Sequence, residues 1–167
     1  YPNDSSVFHY HASVREAVGA LPGVTSVADA NQLPLGGNLD LYGVVDVANV
    51  PDNPALAPSG DRYAVSTDYF HTMRIPILAG RAFTASDAAE GASKVALVSE
   101  ALARRLWPAG NPIGQRIRVG GVDAPARTII GVAGNVRHTG LDAKTTLQWY
   151  IPERQMFFAD NHEVLMV

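Results

Sequence analysis

The segment SKVALVSEALARRLWPAGNPIGQRIRV, residues 93 to 119, constrains the fold more than any other part of this chain. Val95 to Val98 form an unbroken apolar run of the kind that fills a buried strand. Ser99 follows as a helix cap, and in EALARRLW the residues Leu102 and Leu106 fall four apart on one helical face. Pro108 stops the helix, Asn111-Pro112 makes a turn, and beyond Gly114 the apolar Ile117 and Val119 alternate with Arg116 and Arg118, the period of a strand with one wet face. A strand, a short helix and a second strand joined this tightly can bury their apolar faces only as parts of an α/β sheet. Arg104 and Arg105 fall in the last helical turn, where each positive charge gains ~0.3 to 1 kcal/mol against the helix dipole.

The rest of the chain repeats the theme. Asp4 and Ser5 are N-cap residues ahead of a helix whose apolar positions are Val7, Tyr10, Val14, Ala17, Val18 and Leu21, and Leu21-Pro22-Gly23 ends it before a short strand in VTSVADA. LYGVVDV reads as a strand, ANVPDNPALAPSGDR as a loop, and RYAVSTDYFHTM as a strand entering a short helix capped by Thr67 that buries Tyr69, Phe70 and Met73. IPILAGRAF is extended with a bend at Gly80, and Thr84 with Asp87 has capping-box spacing, which predicts one helical turn in FTASDAAEG. ARTIIGVAGNV, LQWYIPE and NHEVLMV are three further strands, and RHTGLDAK is a loop. The expectation is a mixed α/β, or α+β, sheet. EVLMV ends the chain in mid-strand, which predicts that the parent polypeptide continues.

Composition excludes several functions. Thirteen Lys and Arg against 16 Asp and Glu leave a net charge of -3, the wrong balance for a nucleic-acid face. There is no cysteine for a disulfide or thiolate zinc site. No stretch reaches the ~18 apolar residues of a membrane span, so the segment is expected to be soluble by itself. His9 and His11, two apart on a helix, face ~200° away from each other and cannot share an ion. GVAGNVRHTG lacks both phosphate-loop and dinucleotide spacing, which leaves Gly131, Gly134 and Gly140 to a bend and Arg137 and His138 to an exposed loop. No GxSxG elbow or HExxH motif occurs, and Asp68, Asp87, Glu100 and Asp142 are placed as caps and loop residues. Neither enzyme nor cofactor chemistry is expected. Trp107 and Trp149 border elements and are read as core. For partner contact the exposed candidates are Trp107, Arg116, Arg118, Arg137 and the proline-rich loop from Val50 to Gly60.

In one order along the chain, LPGVTSVADANQLPLGG, YAVSTDYFHTMRIPILAGRAFTASD, KVALVSEALARRLWPAGNPIGQRI, IIGVAGNVRHTGLD and YIPERQ closely resemble the extracytoplasmic core domain of MacB-like, FtsX-type ABC transporter permeases. The similarity extends from Leu21 to Gln155 and is greatest with the branch of large permeases with duplicated halves common in acidobacteria. The resemblance implies a porter-like lobe (residues 1–31 and 147–167) and an inserted small α/β lobe of the Sabre type (residues 32–146). The resemblance also leads to the expectation of a strand before the first helix and of a helix and strand after LMV, which this sequence lacks, so the porter-like lobe is expected to be incomplete. It further implies a noncatalytic domain at the periplasmic face of the bacterial inner membrane. Its parent chain would be membrane-embedded, and a cytoplasmic ATPase would move it to expel or release a substrate, with a periplasmic partner or the substrate in contact. Two other readings stand beside this one: a free-standing periplasmic binding or assembly module with a pocket near the mobile loop, and a small hydrolase with an unrecognised site.

Overall fold

Alternating apolar residues in short β-branched runs need partners on both faces, and in the computed structural model they find them in one nine-stranded sheet. The structure describes residues 4–33, 35, 41–46, 57–119, 124–137, 146–156 and 164–167. Helix α1 (Asp4–Gly19) leads through a turn at Gly23, φ +89°, to β1 (Ala28–Ala30). Then come β2 (Leu41–Asp46), β3 (Ser59–Val65), α2 (Tyr69–Thr72), β4 (Ile77–Gly80), β5 (Val95–Ser99) and α3 (Glu100–Leu106). Strands β6 (Arg116–Val119), β7 (Arg127–Ala133) and β8 (Gln148–Pro152), a 3-10 turn (Glu153–Gln155) and β9 (Val164–Met166) complete the order.

The sheet runs β2-β6-β7-β5-β8-β3-β1-β9, and β2 also pairs with β3. Six strands therefore close on themselves, from β2 through β6, β7, β5, β8 and β3 back to β2. Every one of the six contributes to a single apolar cluster: Val44, Ile117, Ile129, Ala96, Trp149 and Ala64. That cluster is the interior of the ring, filled by side chains as in any small barrel. Leu102 and Trp107 of the α3 segment extend it. Gly60 in β3 leaves room for it, since a Cβ there would stand 3.1 Å from the Trp149 ring.

The opposite face of the same strands carries Tyr63, Val65, Leu97 and Tyr150, and α2 covers it with Tyr69 and Phe70. β4 adds to β7 on the far side, where Gly80 is opposite Gly131. A Cβ on Gly131 would come within 2.3 Å of the Arg81 carbonyl oxygen, and Gly80 itself takes φ +69° to turn the chain away. β1 and β9 prolong the sheet past β3, antiparallel to each other with Asp29 opposite Leu165.

Several sequence expectations change here. The strand expected from Arg62 begins at Ser59, because Gly60 packs in the ring and the buried Asp61 accepts from Gln32 Nε2 at 2.9 Å. The short helix has Asp68, not Thr67, at its N-cap, with no side-chain cap bond. Thr84 and Asp87 make the capping-box bond, Thr84 N to Asp87 Oδ2 at 2.8 Å, but residues 85–88 form turns and no helix, since Asp87 is also committed to Arg81. Of the apolar positions on this helix whose side chains are described, Val14 and Val18 are half-buried, while Tyr10, Ala17 and Leu21 are exposed. Ser99 caps α3 as expected, accepting from Leu102 N at 3.3 Å. Most of the loop from Val50 to Gly60, and the loop residues His138, Gly140 and Asp142, lie outside the described residues.

Candidate functional site

Three charged side chains from distant parts of the chain meet where α1 rests on the sheet. Arg15 projects from α1 between Val14 and Val18; Asp29 is the middle residue of β1; Glu153 opens the turn that follows β8. The Nη1 group of Arg15 donates to Asp29 Oδ2 and, at 3.0 Å, to Glu153 Oε2. Side-chain exposures of 21% for Arg15, 1% for Asp29 and 8% for Glu153 place both carboxylates in the protein interior.

The electrostatics follow from that burial. Desolvation raises the pKa of Asp29, and Arg15 offsets only part of the shift; the same holds for Glu153, which Asp29 raises further. Burial works against the Arg15 charge, but the two carboxylates more than restore it, so the guanidinium is held charged. His11, one turn earlier on α1, is pushed below its ordinary value by burial and by Arg15, against the pull of Asp29. The backbone reinforces the joint: Asp29 N donates to Ser66 Oγ and Ser66 N to Asp29 O, both at 3.0 Å. A cavity of about 260 Å³ lined by Arg15, Ser66, Thr67, Glu153 and Arg154 opens beside it. Such a cluster fixes a helix to a sheet through Asp29 Oδ2 and Glu153 Oε2, while Asp29 Oδ1 stays buried without a hydrogen-bond partner among the described residues.

A second polar network is buried under α2. Tyr150 donates to Gln148 Oε1 at 3.1 Å, and Gln148 Nε2 reaches the Val136 carbonyl at 2.8 Å. The Tyr150 ring packs against Phe70, Tyr63 and Tyr69 at centroid distances of 5.0, 5.6 and 6.1 Å. Burial, and then the nearby Asp61, raises the pKa of Tyr63, and Tyr69 shifts the same way, so both hydroxyls stay neutral. A third network ties the 81–93 loop down: Asp87 accepts from Arg81 at 2.6 and 2.9 Å and is lowered to about 2, chiefly by that contact.

The residues singled out in the sequence fall elsewhere. Trp107 is 9% exposed and belongs to the ring interior, which agrees with its reading as core and corrects its place among exposed candidates. Arg116 is exposed and Arg118 half-buried on β6, beside the start of β7. Arg137 is exposed just beyond the other end of β7, a strand of seven residues and so ~23 Å long. The three arginines are not gathered into one patch. Leu102 and Phe70 are core, whereas Leu106 is half-buried against it. Among the described residues no cluster of three or more His, Asp or Glu could hold a metal ion, and no helix is long and apolar enough to cross a membrane. Gly131 and Gly134 are buried in strand packing, with Leu97 and Pro76 where Cβ atoms would go. Sequence reasoning missed Arg15, Asp29 and Glu153. The available signal was a charged residue between two apolar positions on a helix face and another inside an apolar strand.

Compared with known proteins, residues 6–166 match the family model described as MacB-like periplasmic core domain. No curated protein matches the chain. Among solved structures, the periplasmic region of MacB from Actinobacillus actinomycetemcomitans aligns with a TM-score of 0.63 at 14% identity, over 93% of this chain and 63% of that one. The extracellular domain of the noncanonic ABC-type transporter YknZ from Gram-positive bacteria aligns with a TM-score of 0.63 at 16% identity, over 93% and 71%. A domain of a protein named as a permease from Porphyromonas gingivalis aligns with a TM-score of 0.59 at 19% identity, over 91% and 64%. At these identities the likeness is one of fold, and the chain spans between three fifths and three quarters of these three structures.

Proposed function

This chain belongs to the family of MacB-like periplasmic core domains, and from that premise we propose that it is a noncatalytic transmission body of an ABC-type permease. Held between membrane helices at the periplasmic face of the inner membrane, it moves when a cytoplasmic ATPase cycles and passes that movement to a substrate or a periplasmic partner. The run of phrases from Leu21 to Gln155 supports a place in the branch with duplicated halves.

The observation that carries the reading is mechanical continuity. From β9 through β1, β3, β8, β5 and β7 every neighbour is hydrogen-bonded, and α1 is clamped to this sheet by Arg15. A displacement entering at α1 or β9 would be carried along these described ladders, since backbone ladders and packed cores deform little. In this reading residues 1–31 and 147–167 are the porter-like lobe and residues 32–146 the Sabre-like lobe. β8 then joins the two, bonded to β3 on one side and to β5 on the other. Arg116, Arg118 and Arg137 are exposed or half-exposed positions at which a partner would be met.

The test is to express the complete parent permease with its ATPase and replace residues 6–166 by a flexible Gly-Ser linker. Hydrolysis that continues while export stops supports transmission. Export that survives the replacement, or turnover of a substrate by the isolated chain, contradicts it.

A further inference from the structure

At the mouth of the ring, between β6, β7, β8 and the turn after β8, there is a cavity of about 290 Å³. Its polar rim carries three cations, Arg62, Lys94 and Arg127, and none of its described lining residues is acidic. Its floor is apolar. Trp149, Ile151 and Met156, exposed by 3, 2 and 9%, all belong to the ring interior.

Arg127 is the informative residue. Its Nη1 donates to Gln155 Oε1 at 2.6 Å and reaches the Val95 carbonyl at 3.5 Å, and its Nη2 donates to the Gln155 carbonyl at 3.1 Å. All three acceptors are neutral. A guanidinium has five N–H donors, so the Nε–H and one Nη2–H remain without a described protein acceptor. Gln155 is itself immobilised, its Nε2 donating to the Asp87 and Ser93 carbonyls at 2.9 Å each. The cation is therefore rigidly aimed and lacks a counter-charge among the described residues. Burial, with Arg62 nearby, lowers its pKa to about 10, a cost that a bound anion would relieve.

We infer that this cavity, with Arg127 and Lys94 at its rim and Trp149 and Met156 at its floor, binds a small amphiphilic anion: a carboxylate or phosphate monoester on a short apolar chain or ring. The volume of about 290 Å³ is just under the usual range of small-molecule sites, a size suited to a small organic anion. The charged head pairs with the free edge of Arg127, and the apolar part continues the core already formed by Trp149. This inference is independent of the transport reading, since it concerns what the domain holds, not what moves it.

The chain of 167 residues is titrated with octanoate, hexyl phosphate, octanamide and inorganic phosphate while NMR follows the Trp149 indole N–H and the Arg127 Nε–H. The inference predicts saturable shifts of both signals with octanoate or hexyl phosphate, and at least tenfold weaker binding of octanamide and of inorganic phosphate, the loss expected for one charged hydrogen bond or for the apolar part. Whichever of the two amphiphiles binds tighter identifies the head group. Arg127→Gln is expected to weaken octanoate at least tenfold; should that variant unfold, the exposed Lys94→Gln is expected to weaken it several-fold with the spectrum otherwise unchanged. Equal binding of octanoate and octanamide, phosphate as tight as hexyl phosphate, shifts confined to residues outside the cavity, or an unaltered affinity in Lys94→Gln together with Arg127→Gln would each overturn the inference.

Discussion

Replacing Arg15 with methionine keeps most of the unbranched apolar stem and removes the guanidinium shared by Asp29 and Glu153. Both carboxylates are 8% exposed or less, so water cannot take over from the guanidinium. Breaking a buried pair by deleting one partner costs about 3 to 5 kcal/mol, and here two acids are orphaned together. The variant can limit the loss by protonating them, which costs about 1.4 kcal/mol for each pH unit above the ordinary carboxylate value. The penalty therefore depends on pH. A carboxyl raised in the folded state gives stability that is full below its unfolded pKa and is lost as pH rises through the folded one; removing Arg15 raises both acids further and widens that window upward. Urea unfolding followed by circular dichroism at pH 7 and pH 5 should show a deficit of about 3 to 5 kcal/mol at pH 7 that shrinks by up to about 1.4 kcal/mol per pH unit for each proton taken up. His11 titrates in the same range with the opposite sense, so the comparison belongs in a His11→Gln background. Adding Asp29→Asn and Glu153→Gln to Arg15→Met should recover most of the loss. A deficit under 0.5 kcal/mol, or one that does not change with pH, would refute the electrostatic account of this joint.

Gly131→Ala should destabilise the chain by about 1 to 3 kcal/mol or more, because its Cβ would stand 2.3 Å from the Arg81 carbonyl oxygen, whereas Gly110→Ala, with its nearest neighbour at 3.6 Å, should stay within about 0.5 kcal/mol in the same urea assay. Leu102→Ala should cost about 2 to 5 kcal/mol and Leu106→Ala clearly less, since Leu102 is fully buried and Leu106 only half; equal losses by chemical denaturation would contradict the packing described for α3. Asp87 is lowered to about 2, so its contribution is present above the unfolded value near 3.8 and is lost as pH falls toward about 2. Asp87→Asn should remove that acid-dependent part, about 1 kcal/mol once the half-exposed Arg81 is discounted for screening, and an unchanged acid profile would count against it.

What was legible in the sequence was local. The strand, cap, helix and turn of residues 95–114 could be read because each signal acts over three or four positions: Ser99 on Leu102, Pro108 after the helix, and Asn111 Oδ1 on the Ile113 amide at 3.0 Å. Ser59 to Asp61 looked like loop because SGD is polar and flexible by composition, yet a glycine under Trp149 and a carboxylate facing Gln32 are what a crowded ring requires. The capping box of Thr84 and Asp87 was real as a hydrogen bond and misleading as a helix, since Arg81 competes for the same carboxylate. The closure of β2 onto β3, and the meeting of Arg15 with Asp29 and Glu153 across separations of 14 and 138 residues, leave no periodicity to detect. The cationic cavity is of the same kind: Arg62, Lys94 and Arg127 are unremarkable singly and become a site only when β3, β5 and β7 assemble.

The central claim is that the sheet moves as one passive body. Spin labels at Glu16 on α1 and Arg104 on α3, both exposed, report its internal distance in the parent permease reconstituted with its ATPase, and a third label in an adjoining membrane segment reports its displacement. The account predicts an unchanged Glu16 to Arg104 distance between nucleotide-free and ATP-trapped states, with a changed distance from Arg104 to the membrane label. A Glu16 to Arg104 distance that changes with the nucleotide, while the domain keeps its place over the membrane, would contradict it.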